Sequence, residues 1–232
     1  MTIATDQTQR NAARVVGAAY LAALVPAIFA EFYVRSRLIV SGDAVQTAMN
    51  VMMHERLFRF GVAGNLIVFA IDVALITALY MVLRPINRGL ALAALAWGLI
   101  ETAILVVVTL TDFAALRILS GAEYLKVFEA DRLDALARLS MSAHFDAYNV
   151  GLVFAGLRST TFCCLWFKSR YVPRALAGWG ILASLLMGAC AFAFVMFPEL
   201  TSVLPVAVYG GPIFVFELTM GVWLLVKDLK TG

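Results

Sequence analysis

Four ionisable side chains interrupt long apolar stretches of the sequence near their middles: Asp72, Glu101, Arg158 and Glu217. A charge at the centre of a bilayer costs roughly 2.5–3.5 kcal/mol on insertion scales, so such residues are expected to face a protein interior or a cavity. At about 1.5 Å of rise per helical residue, all four lie roughly 15–18 Å from the same membrane face. Their common depth predicts a single cluster, and we take all four as candidate catalytic residues.

The chemistry open to this cluster is proton transfer. Three acids facing one arginine cannot all stay ionised in a low dielectric, so at least one carboxyl is expected to carry a proton. In a cyclase, isomerase or lipid-modifying enzyme acting on an isoprenoid or lipid, that acid would donate its proton and an ionised neighbour would accept one. In a proton-coupled transporter the same acids would form a relay. The third alternative is a non-catalytic sensor or accessory protein, in which the cluster only holds helices together.

A second group of polar residues is predicted nearer the outer membrane surface, and it is the candidate ligand-binding set: Glu31, Arg35, Arg37, Arg59, Asn65, Asp112, His144 and Tyr148. Arginine donates two N–H groups at once to a carboxylate or phosphate, so Arg35, Arg37 and Arg59 are expected to capture an anionic group. The alternative is that these arginines extend to lipid phosphates at the interface.

No metal or cofactor is predicted. His144 could share a metal with Asp112 or Glu31, but the sequence contains no HxxxH or HExxH pair. It also contains no GxSxG, Walker or GxGxxG motif. The three cysteines lie inside apolar stretches without CxxC spacing, which is typical of small buried hydrophobes.

The composition is that of an integral membrane protein. Of the 232 residues, 62% are hydrophobic and 14% are charged, and the mean hydropathy is +0.90. A soluble domain carries about 25% charged residues, so this chain cannot cover its surface with polar groups. No basic stretch alternates with aromatic residues, so nucleic acid is not an expected partner, whereas membrane lipids and a lipophilic small molecule are.

Apolar runs of about 20 residues are long enough to cross a hydrocarbon core of roughly 30 Å. We predict an all-α, polytopic bundle of six transmembrane helices forming one integral membrane domain over residues 1–232, with a cavity among spans 1, 2, 3, 4 and 6. Kinks are expected at Pro26 and Pro212, which lie inside spans 1 and 6. The predicted spans are about 12–34, 60–83, 89–118, 140–168, 174–197 and 205–227.

The distribution of basic residues orients the bundle. The face that holds the termini and the even-numbered loops carries nine basic residues against Asp6 and Asp228, a net charge of +7. The positive-inside rule therefore predicts a bacterial inner-membrane protein with both termini in the cytoplasm. The basic residues are Arg10, Arg14, Arg84, Arg88, Lys168, Arg170, Arg174, Lys227 and Lys230.

Two further patterns predict local structure. Asp43 followed by Gln46 is typical of a helix N-cap, so an amphipathic helix is expected from Asp43 to Phe58 on the outer face. In span 5, Gly180, Ser184 and Gly188 form a ladder of small residues that lets another helix approach closely. The partner helix is expected either inside the bundle or on a second copy, which would make a homo-oligomer.

Several motifs resemble a bacterial multi-spanning membrane family, domain of unknown function 4386. They include Glu31-Phe-Tyr-Val-Arg35-Ser-Arg37, Arg84-Pro-Ile-Asn87 and Lys168-Ser-Arg-Tyr-Val-Pro173-Arg174, and the resemblance extends over nearly the whole chain. It implies a multi-spanning bacterial protein and contributes no established activity. In the family pattern, arginine often stands at the position of Gly98 and histidine at that of Arg158. The resemblance therefore implies that this chain carries its buried cation on span 4 rather than on span 3.

Overall fold

The computed structural model describes residues 7–40, 43–119, 129–227 and 229, and this described part is helical and contains no strand. It includes one 3₁₀ turn, at Pro198–Ser202. The helices are α1 (Gln7–Leu38), α2 (Ala44–Met53), α3 (Glu55–Leu83), α4 (Arg88–Leu119), α5 (Ala130–Ser169), α6 (Arg174–Met196), α7 (Val206–Tyr209) and α8 (Gly211–Val226).

Five helices of the described residues are long and apolar enough to cross a membrane, namely α1, α3, α4, α5 and α6. Their outward surfaces are apolar: Val25, Leu139 and Leu182 are each exposed by about 70%, as expected where lipid replaces water as the solvent. The predicted fold class, an all-α polytopic membrane bundle, is confirmed.

The sixth predicted span is divided. Tyr209 ends α7, and α8 begins at Gly211 with Pro212 in its first turn. Proline has no N–H to donate to the preceding turn, so the expected kink is a break between two helices. The 16 residues of α8 extend about 24 Å, less than the hydrocarbon thickness of roughly 30 Å.

The expected disturbance at Pro26 takes a different form. The helix α1 continues past this proline, but from Ile28 to Arg35 it is wound as a π-helix. Such wide turns are rare and occur often at functional sites. Glu31 and Arg35, both candidate ligand-binding residues, lie on this π-helical segment.

The chain divides into two compact units. The first consists of the described residues of Met1–Ala23, Ala70–Ala103 and Asn149–Gly232, and the second of those of Leu24–Phe69 and Ile104–Tyr148. The first unit is built around a core that includes Val16, Ile76 and Trp166, each exposed by 1% or less. The second has a smaller core of Val34, Leu38, Val51 and Leu116.

Glycines allow close helix packing in the first unit. A Cβ atom built on Gly156 of α5 would lie 2.5 Å from the Cα of Gly188 on α6, so the two backbones touch. The rest of the ladder on α6 also faces its own chain, because Gly180 lies against Phe216 and Ser184 is fully buried. The described contacts of the ladder are thus made within one chain, and the homo-oligomer stays a prediction.

The short helix α2 belongs to the second unit. It begins as predicted, because the Asp43 Oδ1 accepts a hydrogen bond of 2.8 Å from the Gln46 N–H. It ends at Met53, earlier than expected, and α3 starts at Glu55. Met52 and Met53 are more than half exposed, which leaves an apolar face that a lipid surface can cover.

The contact between Gly156 and Gly188 predicts that replacing glycine by alanine has different effects on stability at Gly156 and at Gly178. Gly156→Ala should lower the free energy of unfolding by about 1–3 kcal/mol, because the new methyl group meets the backbone of Gly188. Gly178→Ala is the matched control, since its Cβ would approach only Phe167 at 3.9 Å. Alanine there should be neutral or stabilising by up to about 1 kcal/mol. Unfolding titrations in mixed micelles measure both, and equal responses would contradict the packing.

Candidate functional site

The centre of the first unit is an arginine that bridges two acids. The Arg158 Nη1 donates to the Asp72 Oδ1 at 2.7 Å. On the other side, the Arg158 Nη2 donates to the Glu101 Oε1 at 3.3 Å, and the Nε lies 2.9 Å from the Glu101 Oε2. The side chains are only 9%, 17% and 7% exposed for Arg158, Asp72 and Glu101. Such burial is tolerable because each charge faces an opposite one.

Helical spacing explains how α4 fits around the arginine. Gly98 precedes Glu101 by three residues and Thr102 by four, so all three share one face of the helix. A Cβ on Gly98 would lie 2.8 Å from the Arg158 Cδ, so glycine leaves the space that the arginine stem occupies. The Thr102 hydroxyl lies within hydrogen-bond distance of the Asp72 Oδ2, at 3.1 Å, and of the Gly98 carbonyl oxygen, at 2.9 Å.

Glu217 differs from the other two acids. It is half-buried on α8, and among the described residues it accepts no hydrogen bond and forms no ion pair. It nevertheless interacts electrostatically with Arg158 and Asp72, and Tyr20 interacts electrostatically with Glu217. The structure thus brings all four predicted charges into one unit. Two acids are tied to the arginine and the third is not.

The second unit contains a chain of polar contacts that runs through a histidine. The Arg35 Nη1 lies 2.6 Å from the His144 Nε2, and the His144 Nδ1 lies 2.8 Å from the Asp112 Oδ1. A guanidinium only donates hydrogen bonds, so Nε2 must accept, which makes the ring neutral with its proton on Nδ1. Glu31 completes the chain, with its Oε2 at 3.8 Å from the Arg35 Nε.

A cavity of about 480 Å³ opens beside these contacts. Its polar lining includes five of the eight candidate ligand-binding residues: Glu31, Arg35, Asn65, Asp112 and His144. Its lining contains none of the four candidate catalytic residues and no residue of span 6. This cavity therefore lies among spans 1 to 4, and a cavity that also includes span 6 stays a prediction. The ion pairs draw Asp72 and Glu101 onto Arg158, so these polar groups face one another.

The other three candidate ligand-binding residues do not line this cavity. The Arg37 guanidinium stacks on the Tyr33 ring, 4.1 Å from its centroid, and donates to the Tyr33 hydroxyl. The Arg59 Nε donates to the Glu55 Oε1 at 2.7 Å. Local partners on the same helical face thus satisfy both arginines.

Tyr148 stacks on the His144 ring, with the centroids 6.3 Å apart. The sequence did not predict the cavity-lining Thr47 and Ser142, which no spacing rule distinguishes from other hydroxyl residues of the chain. Among the described residues, no three His, Cys, Asp or Glu side chains are grouped so that they could hold a metal ion.

The fold and both clusters define a class of protein, a multi-spanning helical membrane protein with buried charged residues. The chain belongs to the family described as domain of unknown function (DUF4386), whose family model matches residues 15–227. No curated protein and no solved structure matches it significantly.

The position of Gly98 predicts that the buried cation can be moved between helices. Arg158→Ala should lower the free energy of unfolding by about 3–5 kcal/mol, because two buried carboxylates lose their partner. The exposed Arg56→Ala is the control and should cost less than about 1 kcal/mol. Gly98→Arg alone should also destabilise, since it adds a second cation where the Arg158 stem already lies.

The double variant Gly98→Arg/Arg158→Ala should recover part of the loss. The Cβ of residue 98 lies where the Arg158 stem runs, so the new arginine is expected to reach the same acids. The expected coupling between the two sites is about 0.5–3 kcal/mol in favour of the double variant. Unfolding titrations of the four proteins measure it, and strictly additive losses would contradict a shared cation position.

Proposed function

We propose that the protein binds a lipophilic or lipid-like ligand within the bacterial inner membrane, in the cavity of its second unit. The observation that supports this most directly is a cavity of about 480 Å³ with apolar walls and a few convergent polar groups. Sites of about 300–1,000 Å³ with this lining are characteristic of small-molecule binding. The apolar walls include Ala30, Val34, Leu38, Val51, Phe58, Val62 and Ala115.

The π-helical segment of α1 adds support. It presents Ala30, Glu31, Val34 and Arg35 to the same cavity. A π-helix is less stable than an α-helix of the same sequence, and π-helical turns are found frequently at functional sites. A ligand with an apolar body and a polar end would match this mixture of side chains.

The ion pairs of the first unit favour a structural role for three of the four candidate catalytic residues. Asp72 and Glu101 are held by Arg158, so moving either one would leave a buried charge without a partner. Glu217 has no such partner among the described residues, so any acid–base step or proton relay would depend on it most. The enzyme and the transporter are thus alternatives that rest on Glu217.

The ligand proposal predicts that filling the cavity removes the ligand. Val40 lines the cavity and is 38% exposed, so Val40→Trp should fill the space with little disturbance of the core. Mass spectrometry of extracts from the purified protein should find one amphiphile enriched over bulk lipid in the wild type and depleted in this variant. Val25→Trp is the control, because Val25 is 74% exposed and does not line the cavity. Equal ligand content in all three proteins would contradict the proposal.

Glu217→Gln separates binding from chemistry. For a binding protein, we expect this variant to retain the co-purified amphiphile and to leave the lipid profile of whole membranes unchanged. A changed profile with an intact fold would favour the enzyme instead. Loss of pH-driven uptake into proteoliposomes by this variant alone would favour the transporter.

The proposed orientation places both termini in the cytoplasm. It is supported by the net charge of +7 on the face with the termini and even-numbered loops. Both termini lie outside the described residues. In intact cells, single cysteines introduced at Thr2 and Gly232 should resist a membrane-impermeant maleimide until the membrane is opened, with Cys163, Cys164 and Cys190 replaced by serine. Labelling of either terminus before opening would contradict this topology.

A further inference from the structure

We infer that the cavity of the second unit accepts an amphiphile with a cationic head group, such as an alkylammonium, rather than an anionic one. This inference rests on the proposed ligand-binding function and names its substrate class. It departs from the sequence-based expectation that three arginines capture an anion. The reason is the charge that the structure brings to the lining.

The lining contains more acids than bases. Glu31, Asp43 and Asp112 contribute three negative charges, and Arg35 contributes one positive charge. His144 contributes none, because its Nε2 faces the Arg35 guanidinium at 2.6 Å and must accept from it. The lining therefore has a formal net charge of −2. Arg37 and Arg59, which would have neutralised this charge, are not part of the lining.

The single arginine of the lining is partly occupied and lies among the acids. One of its terminal nitrogens contacts His144, and its Nε lies 3.8 Å from the Glu31 Oε2. Within the described part of the chain its remaining N–H groups stay open, but an anion bound to them would lie close to Glu31 and be repelled by it. A cation at the acids needs to break neither contact.

The acids of the lining still lack donors. Glu31 accepts no hydrogen bond from the described residues, since 3.8 Å to the Arg35 Nε is too long for one. The His144 ring is more than nine-tenths buried, yet its Nδ1 is not directed at Asp112 with hydrogen-bond geometry despite the distance of 2.8 Å. Asp112 and Glu31 thus offer free lone pairs beside apolar walls. An ammonium group can donate hydrogen bonds to these carboxylates, and its alkyl chain can pack against the apolar walls.

Three probes with the same chain test the charge preference. Decylammonium, decyl sulfate and decanol are titrated calorimetrically into the full-length protein in phosphatidylcholine nanodiscs, with empty nanodiscs subtracted. We expect the cation to bind at least about tenfold more tightly than decanol, because a charge near two carboxylates at low dielectric gains more than the roughly 1.4 kcal/mol that a tenfold change requires. The sulfate should bind more weakly than decanol.

Matched variants locate the effect. Glu31→Gln and Asp112→Asn should each reduce the affinity for the cation at least about threefold and leave that for decanol unchanged. Glu55→Gln is the control, because Glu55 is an acid of the same unit that pairs with Arg59 and does not line the cavity. Val40→Trp should abolish the binding of all three probes.

The outcomes separate the inference from the proposed function. Equal binding of the three probes, abolished by Val40→Trp, would overturn the cationic class and keep the ligand site. Tighter binding of the sulfate would do the same. If no probe bound above empty nanodiscs, both the inference and the proposed function would fall.

Discussion

The first unit depends on the ion pairs that the Arg158 guanidinium forms with Asp72 and Glu101. The guanidinium's contacts of 2.7 Å to Asp72 and 2.9 Å to Glu101 join three helices, α3, α4 and α5. An arginine alone in this apolar core would be severely destabilising, and two carboxylates alone would repel each other. Each charge is thus buried only because the others are there. Gly98 adds the space for the arginine stem, and the Thr102 hydroxyl contacts the second oxygen of Asp72.

The charged groups beside the cavity of the second unit are paired less closely than those of the first unit. Its arginine and histidine contact each other, while Glu31 and Asp112 line a cavity without well-directed donors. The first cluster places each of its charges 2.7–3.3 Å from an opposite one, whereas in the second the nearest cationic nitrogen to Glu31 is 3.8 Å away and the group lies on a cavity. This contrast supports the proposed structural role of the first cluster and the proposed ligand site at the second. It also explains why residues of similar type, such as Glu101 and Glu31, are given different roles.

Much of the fold could be predicted from sequence because hydrophobic length is a strong signal. Five spans and the all-α class follow from it, and so does the meeting of Arg158 with Asp72 and Glu101, which share one depth. Hydrophobic length did not predict the break at Gly210 or the π-helix after Pro26. A proline inside a helical pattern signals a disturbance, but tertiary contacts decide whether the result is a kink, a break or a wider turn.

The lining of the cavity was harder to predict for the same reason. Arg37 and Arg59 have the residue type and the depth expected of a binding group. Their partners Tyr33 and Glu55, each four residues away on the same helix, take them out of the cavity. Helical spacing contains these pairs, but it does not determine whether a side chain prefers a local partner or a shared cavity. Only the packing of α1 and α3 decides that.

The most direct test of the account is a high-resolution electron cryomicroscopy map of the protein taken from its native membrane without added ligand. We expect an elongated density in the cavity of the second unit, with its polar end at Glu31 and Asp112 and its tail against the apolar walls. The three charges of Arg158, Asp72 and Glu101 should be in mutual contact in the same map. A cavity closed by side chains, or a density that touches Glu217 and leaves the cavity empty, would contradict it.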